Sequence, residues 1–362
     1  MTQNTNPNRR TFLKAAGAGG AFLLAGCVGN EGEPTDESTP EPAPQQAGLD
    51  PAQSVDTDRI AADPRDIPDP VDWDEPRHHE IEIATTEEIA EVEPGVTFQY
   101  MTFGGQVPGP MVRVREGDTI NLTLTNESES AMPHNIDFHA TYGPGGGADD
   151  TTIGPGESAT IEFQAMYPGI HVYHCAVPNM DHHISAGMFG AILVEPEDGL
   201  PEVDHEFYFG QHELYTEGQA GEEGHHGFDF DSMRAEDPTY VCLNGEAYAF
   251  TGNGYGPMTV DKGDTVRVFF ASGGPNLTSS VHPIGNVMSR YYRDGDLLSE
   301  PDRNIETAPV APGTVAAWEM ETPVPGPIKI VDHALSRVVR KGMMGVIEVE
   351  GELEPDIYNP DP

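Results

Sequence analysis

From residue 111 onward the chain alternates between apolar and polar positions. Met111–Asn126 repeats with the period of two that marks a half-buried strand, interrupted by a turn at Gly117-Asp118. Comparable runs follow at Ser158–Met166, Gly169–His174 and Met188–Glu195. A second series begins near His205 and includes Thr239–Phe250, Thr259–Phe270 and Gly345–Glu350. The two series echo each other. Val114-Arg-Glu-Gly-Asp-Thr-Ile120 resembles Val260-Asp-Lys-Gly-Asp-Thr-Val266, and Gly187-Met-Phe-Gly-Ala-Ile-Leu-Val-Glu195 resembles Gly342-Met-Met-Gly-Val-Ile-Glu-Val-Glu350. An internal repeat of about 150 residues, each copy built of short strands, predicts tandem β-sandwiches. Their spans are residues 77–198 and 199–362. The 41 glycines and 33 prolines suit a turn-rich all-β chain and count against a helical bundle.

The first residues lack this pattern. Arg9-Arg10-Thr11-Phe12-Leu13-Lys14 sets two arginines before the apolar stretch Ala15–Val28, which reads as a twin-arginine export signal. That stretch is rich in glycine and falls short of the ~20 residues a spanning helix needs. It ends in Leu24-Ala25-Gly26-Cys27, a lipoprotein processing box that makes Cys27 the lipid-bearing mature N-terminus; a plain cleaved signal is the alternative. Residues 1–27 are therefore read as the export signal, with the part before Cys27 removed on export, leaving the protein on the outer face of the cytoplasmic membrane or in a periplasm-equivalent space. Residues 28–76, mostly Pro, Glu, Asp, Thr, Ser and Gln, are predicted to be a disordered tether without functional residues.

Charge narrows the function. The chain carries 18 Lys+Arg against 61 Asp+Glu, a net −43, and its lysines are Lys14, Lys262, Lys329 and Lys341. Such a surface repels phosphate, which excludes nucleic-acid binding. Since 37% of residues are hydrophobic and the strands are patterned, the acid belongs on a folded surface. That is the composition of a protein kept soluble in concentrated salt, and it implies a salt-loving source. Three cysteines, Cys27, Cys175 and Cys242, cannot build a disulfide framework. Cys242, inside a strand, reads as a small buried hydrophobe.

Cys175-Ala-Val-Pro-Asn-Met-Asp-His-His183-Ile-Ser-Ala-Gly-Met188 is different, because it offers soft and borderline donors at the end of a strand. With His134 upstream, two imidazoles, a thiolate and a weak axial thioether form the donor set of a blue-copper electron-transfer site. The five-residue step to Met188 favours His183 over its neighbour His182. Side chains alternate across a strand, so His174 must oppose Cys175, and His134 must oppose Asp137 and His139. One face then collects His134 and Cys175, and the other collects Asp137, His139 and His174. The second set resembles the start of another metal site. A catalytic metal usually takes three protein ligands and keeps a position open. His333 is the best candidate for the third, and since the site lies outside its own sandwich, that histidine can come from a neighbouring subunit. The pairs His78-His79 and His225-His226 are read as solvated, the latter in the acidic Gly-rich loop Glu217–Phe228.

From about residue 95 to 352 the chain resembles the copper-containing nitrite reductases. The resemblance lies in Met132-Pro-His-Asn-Ile-Asp-Phe-His139, Val172-Tyr-His-Cys175, Gly187-Met188, Val281-His-Pro-Ile-Gly285 and Val331-Asp-His-Ala-Leu335. It implies two tandem cupredoxin-like Greek-key sandwiches and a homotrimer. It further implies a type 1 copper on His134, Cys175, His183 and Met188, and a type 2 copper on His139 and His174 with His333 of the adjacent subunit. Asp137 and His282 match the residues that deliver protons, and Ile284 the apolar residue capping the nitrite position. A small redox protein, a cupredoxin or cytochrome c, would supply electrons. Imidazole titrates near neutrality, so turnover should rise as pH falls. The loop Thr141-Tyr-Gly-Pro-Gly-Gly-Gly147 and the compact loop between Cys175 and His183 depart from the pattern without touching the ligands. Two rivals fare worse. A two-domain multicopper oxidase needs His-X-His pairs, which this sequence lacks, and a non-catalytic electron carrier would not need His139, His333, Asp137 and His282.

Overall fold

A computed structural model describes residues 48–360. The signal, Cys27 and residues 28–47 of the expected tether lie outside them. The first sandwich has strands β1 (His78–Glu93), β2 (Val96–Phe103), β3 (Val112–Arg115), β4 (Thr119–Asn126), β5 (Asp137–Phe138), β6 (Ser158–Gln164), β7 (Gly169–His174) and β8 (Phe189–Glu195). The short helices α1 (Ala148–Thr151) and α2 (Met180–Ser185) interrupt them. Then come β9 (His205–Leu214), β10 (Gly224–His226), α3 (Phe230–Arg234), β11 (Tyr240–Leu243), β12 (Met258–Asp261), β13 (Thr265–Gly274), β14 (Ser279–Ile284) and β15 (Met288–Tyr292). The series closes with β16 (Asp302–Ile305), β17 (Ala308–Val310), β18 (Thr314–Glu321), β19 (Gly326–Asp332), α4 (Ser336–Lys341) and β20 (Met344–Glu350). Among the described residues no helix is long and apolar enough to cross a membrane.

The first sandwich pairs a sheet ordered β10-β2-β1-β4-β6 with one ordered β3-β8-β7-β5; the second pairs β11-β9-β13-β18-β15-β16 with β12-β20-β19-β14-β17. The sheet containing β13 is covered on both faces. Phe269, Ala271 and Ala317 enter the core of the first sandwich, while Val268, Phe270 and Trp318 fill that of the second. This is why Val266–Ala271 is buried throughout rather than at alternate residues. The sandwiches meet closely: Phe189 of β8 lies where a Cβ on Gly273 would be only 2.7 Å from its ring. Two expectations fail here. The tether does not extend to residue 76, because Ile60 is buried in the first core and Ala61 in the second. Their amides both donate to Glu246 Oε1 at 3.0 Å, so two apolar residues and one carboxylate hold an otherwise polar stretch across both sandwiches. Nor is His225-His226 a solvated loop. It forms β10, which pairs with β2 of the first sandwich, and His226 is buried between Thr216 Oγ1 and Glu222 O.

The internal repeat is visible in the ladders. In the first copy Gly169 pairs with Val194 and His174 with Phe189; in the second, Gly326 pairs with Val349 and Val331 with Met344. His174 pairs across with Asp137, and Val331 with His282. Cys175 and Asp332, each one residue further on, therefore hold equivalent places, as do Asp137 and His282.

Candidate metal centres

Two clusters of donors form where β5 and β7 meet, and they differ in exposure. His134, Cys175 and His183 are fully buried, with one ligand atom each within 4.8 Å of the others. Cys175 Sγ lies 3.9 Å from His134 Nδ1 and 3.6 Å from His183 Nδ1. His134 comes from an extended segment bridged to Ile153, and His183 from α2. Met188 is buried beside them; its amide donates to His183 O at 3.0 Å and its carbonyl accepts from the Cys175 amide at 3.2 Å.

The surroundings prepare these atoms for a cation. Glu87 Oε1 lies 3.3 Å from His134 Nε2, which keeps the proton there and leaves the Nδ1 lone pair toward the sulfur. Burial pushes the Glu87 carboxyl up, but the His134 hydrogen bond and the Met132 and Ala131 amides pull it below its ordinary value, so it is ionised. Burial, reinforced by the neighbouring His134 and His182, holds His183 down at about 4, so its ring is neutral at pH 7. Its Nε2 has no partner. Burial alone would keep the Cys175 thiol protonated, and a cation between sulfur and the two nitrogens is what would reverse that. Asn135 Oδ1 accepts from the Ala176 amide at 2.6 Å and stands 3.6 Å from Cys175 Sγ.

The second cluster is Asp137, His139 and His174. His174 is buried, Asp137 half-buried and His139 exposed, so this cluster opens to the surface. His174 Nδ1 donates to Cys175 O at 3.1 Å, leaving Nε2 bare, and that atom faces His139 Nε2 at 3.0 Å. Burial, with help from His139, lowers the His174 pKa. Two imidazole nitrogens at this distance need a proton or a metal between them. The sides assigned by strand alternation are the sides observed, although β5 itself spans only Asp137 and Phe138.

His282 and His333 are not with this cluster in the chain. They stand together on the second sandwich, ring centroids 5.3 Å apart. His282 Nδ1 donates to Glu306 O at 2.5 Å, and Ile284, two residues on, is partly exposed. His333 is exposed, next to the exposed Leu335 and Val339. The sequence pattern does not by itself mark Glu87 or Asn135. Asn135 at least adjoins His134; Glu87 lies 47 residues away with nothing local to mark it.

A paired set of β-sandwiches with a buried Cys-His-His-Met constellation defines a cupredoxin-type copper protein, and residues 84–199 match the multicopper oxidase family. The chain belongs to the copper-containing nitrite reductase family. It is 41% identical to the copper-containing nitrite reductase of Neisseria meningitidis serogroup B over 83% of this chain and 76% of that protein. It is 38% identical to the enzyme of Neisseria gonorrhoeae over 93% of this chain and 87% of that protein. The copper nitrite reductase structure from Nitrosomonas europaea matches with TM-score 0.69 and 31% identity, covering 77% of this chain and 96% of that one.

Proposed function

We propose that this enzyme reduces nitrite to nitric oxide, consuming one electron and two protons and releasing water. His134, Cys175, His183 and Met188 hold a type 1 copper. His139 and His174, with His333 of the partner subunit, hold a type 2 copper. The observation that carries this reading is the pair of adjacent residues His174 and Cys175, each in a different donor cluster, one closed and one open. Copper, when bound, supplies a one-electron carrier at the thiolate site and a Lewis acid with an electron to deliver at the imidazole site.

The chain's own residues do the rest. Glu87 fixes the His134 tautomer, and burial excludes water from the thiolate site. The peptide from Cys175 to His174 is a covalent route of one residue between the two. Asp137 shares the open cluster and holds a proton beside bound nitrite. His282, its Nδ1–H committed to Glu306 O, exchanges the second proton at Nε2. Ile284, on the same face of β14, limits how nitrite lies.

The open cluster and the separate His282/His333 pair support a homotrimer in which each chain completes its neighbour's site. Exposed Leu335 and Val339 follow the donated histidine in the chain, and the exposed Tyr142 and Tyr167, rings 5.2 Å apart, lie near the receiving cluster in sequence. A small redox protein supplies the electron, the twin-arginine signal exports the folded chain, Cys27 anchors it by lipid, and the −43 charge adapts it to salt. Electrode measurement of nitric oxide from copper-loaded protein, nitrite and a reduced artificial donor, in high salt without oxygen, tests the activity. His139→Ala or His333→Ala should abolish it while type 1 colour persists; colour with no nitric oxide from the fully loaded parent would overturn it.

A further inference from the structure

We propose that Asp332 is a positioning residue that sets where His333 stands, and that it does so from the place the thiolate occupies in the first sandwich. This rests on the reading of His333 as a type 2 copper ligand. The ladder registers make Asp332 the counterpart of Cys175, and Met343 the counterpart of Met188. The second sandwich has no imidazoles converging at that place. Instead Asp332 is fully buried and its carboxylate is saturated with donors.

Each oxygen has a separate task. Oδ1 accepts from the Ser280 amide at 3.1 Å and from the Ala334 amide at 2.9 Å. Oδ2 accepts from Gln211 Nε2 at 3.3 Å and from Arg337 Nη1 at 2.6 Å. The same Arg337 nitrogen donates to Thr278 O at 2.8 Å, and Gln211 Oε1 accepts from Ser279 Oγ at 2.8 Å. The Asp332 amide is itself directed at Met343 Sδ, 2.8 Å away.

The position along the chain gives this network its consequence. Pairing between β14 and β19 ends at Val281 and Asp332, so His333 is the first residue beyond the ladder. Its own amide still donates to Ser280 O at 2.7 Å. After it the carboxylate takes over, tying Ala334 and, through Arg337, the start of α4 back to β14. His282 is carried by β14 itself. Asp332 thus fixes an exposed ligand relative to the proton-delivering histidine. An exposed side chain cannot be positioned by packing, so its backbone must be held from both sides.

The test uses the intact, copper-loaded enzyme and reads type 2 copper per chain after dialysis against a chelator, together with its spin-resonance spectrum. Asp332→Ala should retain the type 1 colour and lose type 2 affinity about tenfold or more. Asp332→Asn keeps an oxygen for the Ser280 and Ala334 amides and should recover most of the copper, with an altered type 2 spectrum. Arg337→Gln, milder and near the surface, should weaken type 2 affinity several-fold even where Asp332→Ala fails to fold. Ile347→Val, a core change in the same sandwich, should leave type 2 copper full, which separates positioning from general loosening. Full type 2 occupancy with an unaltered spectrum in Asp332→Ala or Arg337→Gln overturns the proposal, provided His333→Ala loses the metal. Retention of type 2 copper in His333→Ala overturns the ligand assignment, and the anchor with it.

Discussion

The two sandwiches are built on matching ladders and put opposite contents at corresponding places. At the end of β7 the first copy has a thiol facing two imidazole Nδ1 atoms; at the end of β19 the second has a carboxylate saturated by amides, an amide side chain and a guanidinium. Both residues are fully buried, yet only the first arrangement leaves acceptor atoms without protons. In a close-packed interior a polar group must find partners, and the partners decide its chemistry. Lone pairs that lack donors await a cation, whereas a carboxylate with four donors is a brace. The two equivalent positions thus differ through their neighbours: one collects bare donor atoms able to hold a metal, the other a carboxylate saturated by donors.

The largest expected contrast follows from removing the residue that differs. Cys175→Ser should eliminate the type 1 absorption and reduce nitrite turnover by about a thousandfold or more, since electrons then have no thiolate site from which to enter. Its melting temperature without copper should change little. A variant that keeps its colour would show that Cys175 is not the thiolate ligand.

Asp137 and His282 hold equivalent places in the two ladders, but only Asp137 lies within the donor cluster. Asp137→Asn should lower kcat about a hundredfold, with both coppers still present by elemental analysis, as expected when a proton-delivering group is lost. Turnover equal to the parent at every pH would remove Asp137 from the reaction.

The second sandwich carries its own buried charges, and these should contribute to acid sensitivity. Burial raises the Glu319 carboxyl, but hydrogen bonds from Arg267, Arg290 and Tyr292 outweigh it and bring it below its ordinary 4.5. The stabilisation is therefore present above about pH 4.5 and is lost as pH falls through the lower folded value. Glu319→Gln should cost about 2–3 kcal/mol at pH 7, because it leaves Arg267 short of a partner, and should flatten the acid limb of a melting-temperature curve. An unchanged acid limb would mean that other carboxylates dominate it.

The smallest effect concerns support within the first sandwich. Glu87→Gln retains an oxygen that can accept from His134 but not its charge, so type 1 copper affinity should fall about tenfold while type 2 copper is unaffected. Competition with a chelator, followed by the type 1 absorbance, measures it.

Much of this is legible in the sequence. Alternation located the strands, the repeat gave two sandwiches, and the odd and even spacings from His134 to His139 and from His174 to Cys175 sorted the donors onto their observed sides. That works because strand parity is local and survives even where β5 is two residues long. Residues 48–76 depart from the expected tether because average composition hides Ile60-Ala61-Ala62, three consecutive apolar residues that are buried. The Thr239–Phe250 strand stops at Leu243, where Asn244 turns in with φ of 54°. The burial of His226 is not legible locally, because strand addition to β2 depends on an edge more than a hundred residues away in the chain.

The sequence by itself determined the all-β class, the duplication and the donor residues, since each is written in spacing or in the chemistry of a side chain. Tertiary structure alone decided which donors stay bare and which are braced. Glu87, Asn135, Gln211 and Arg337 acquire their roles only when folding brings distant backbone segments within hydrogen-bond reach, and the cost of leaving a buried polar atom unpaired then leaves little freedom in what each must do.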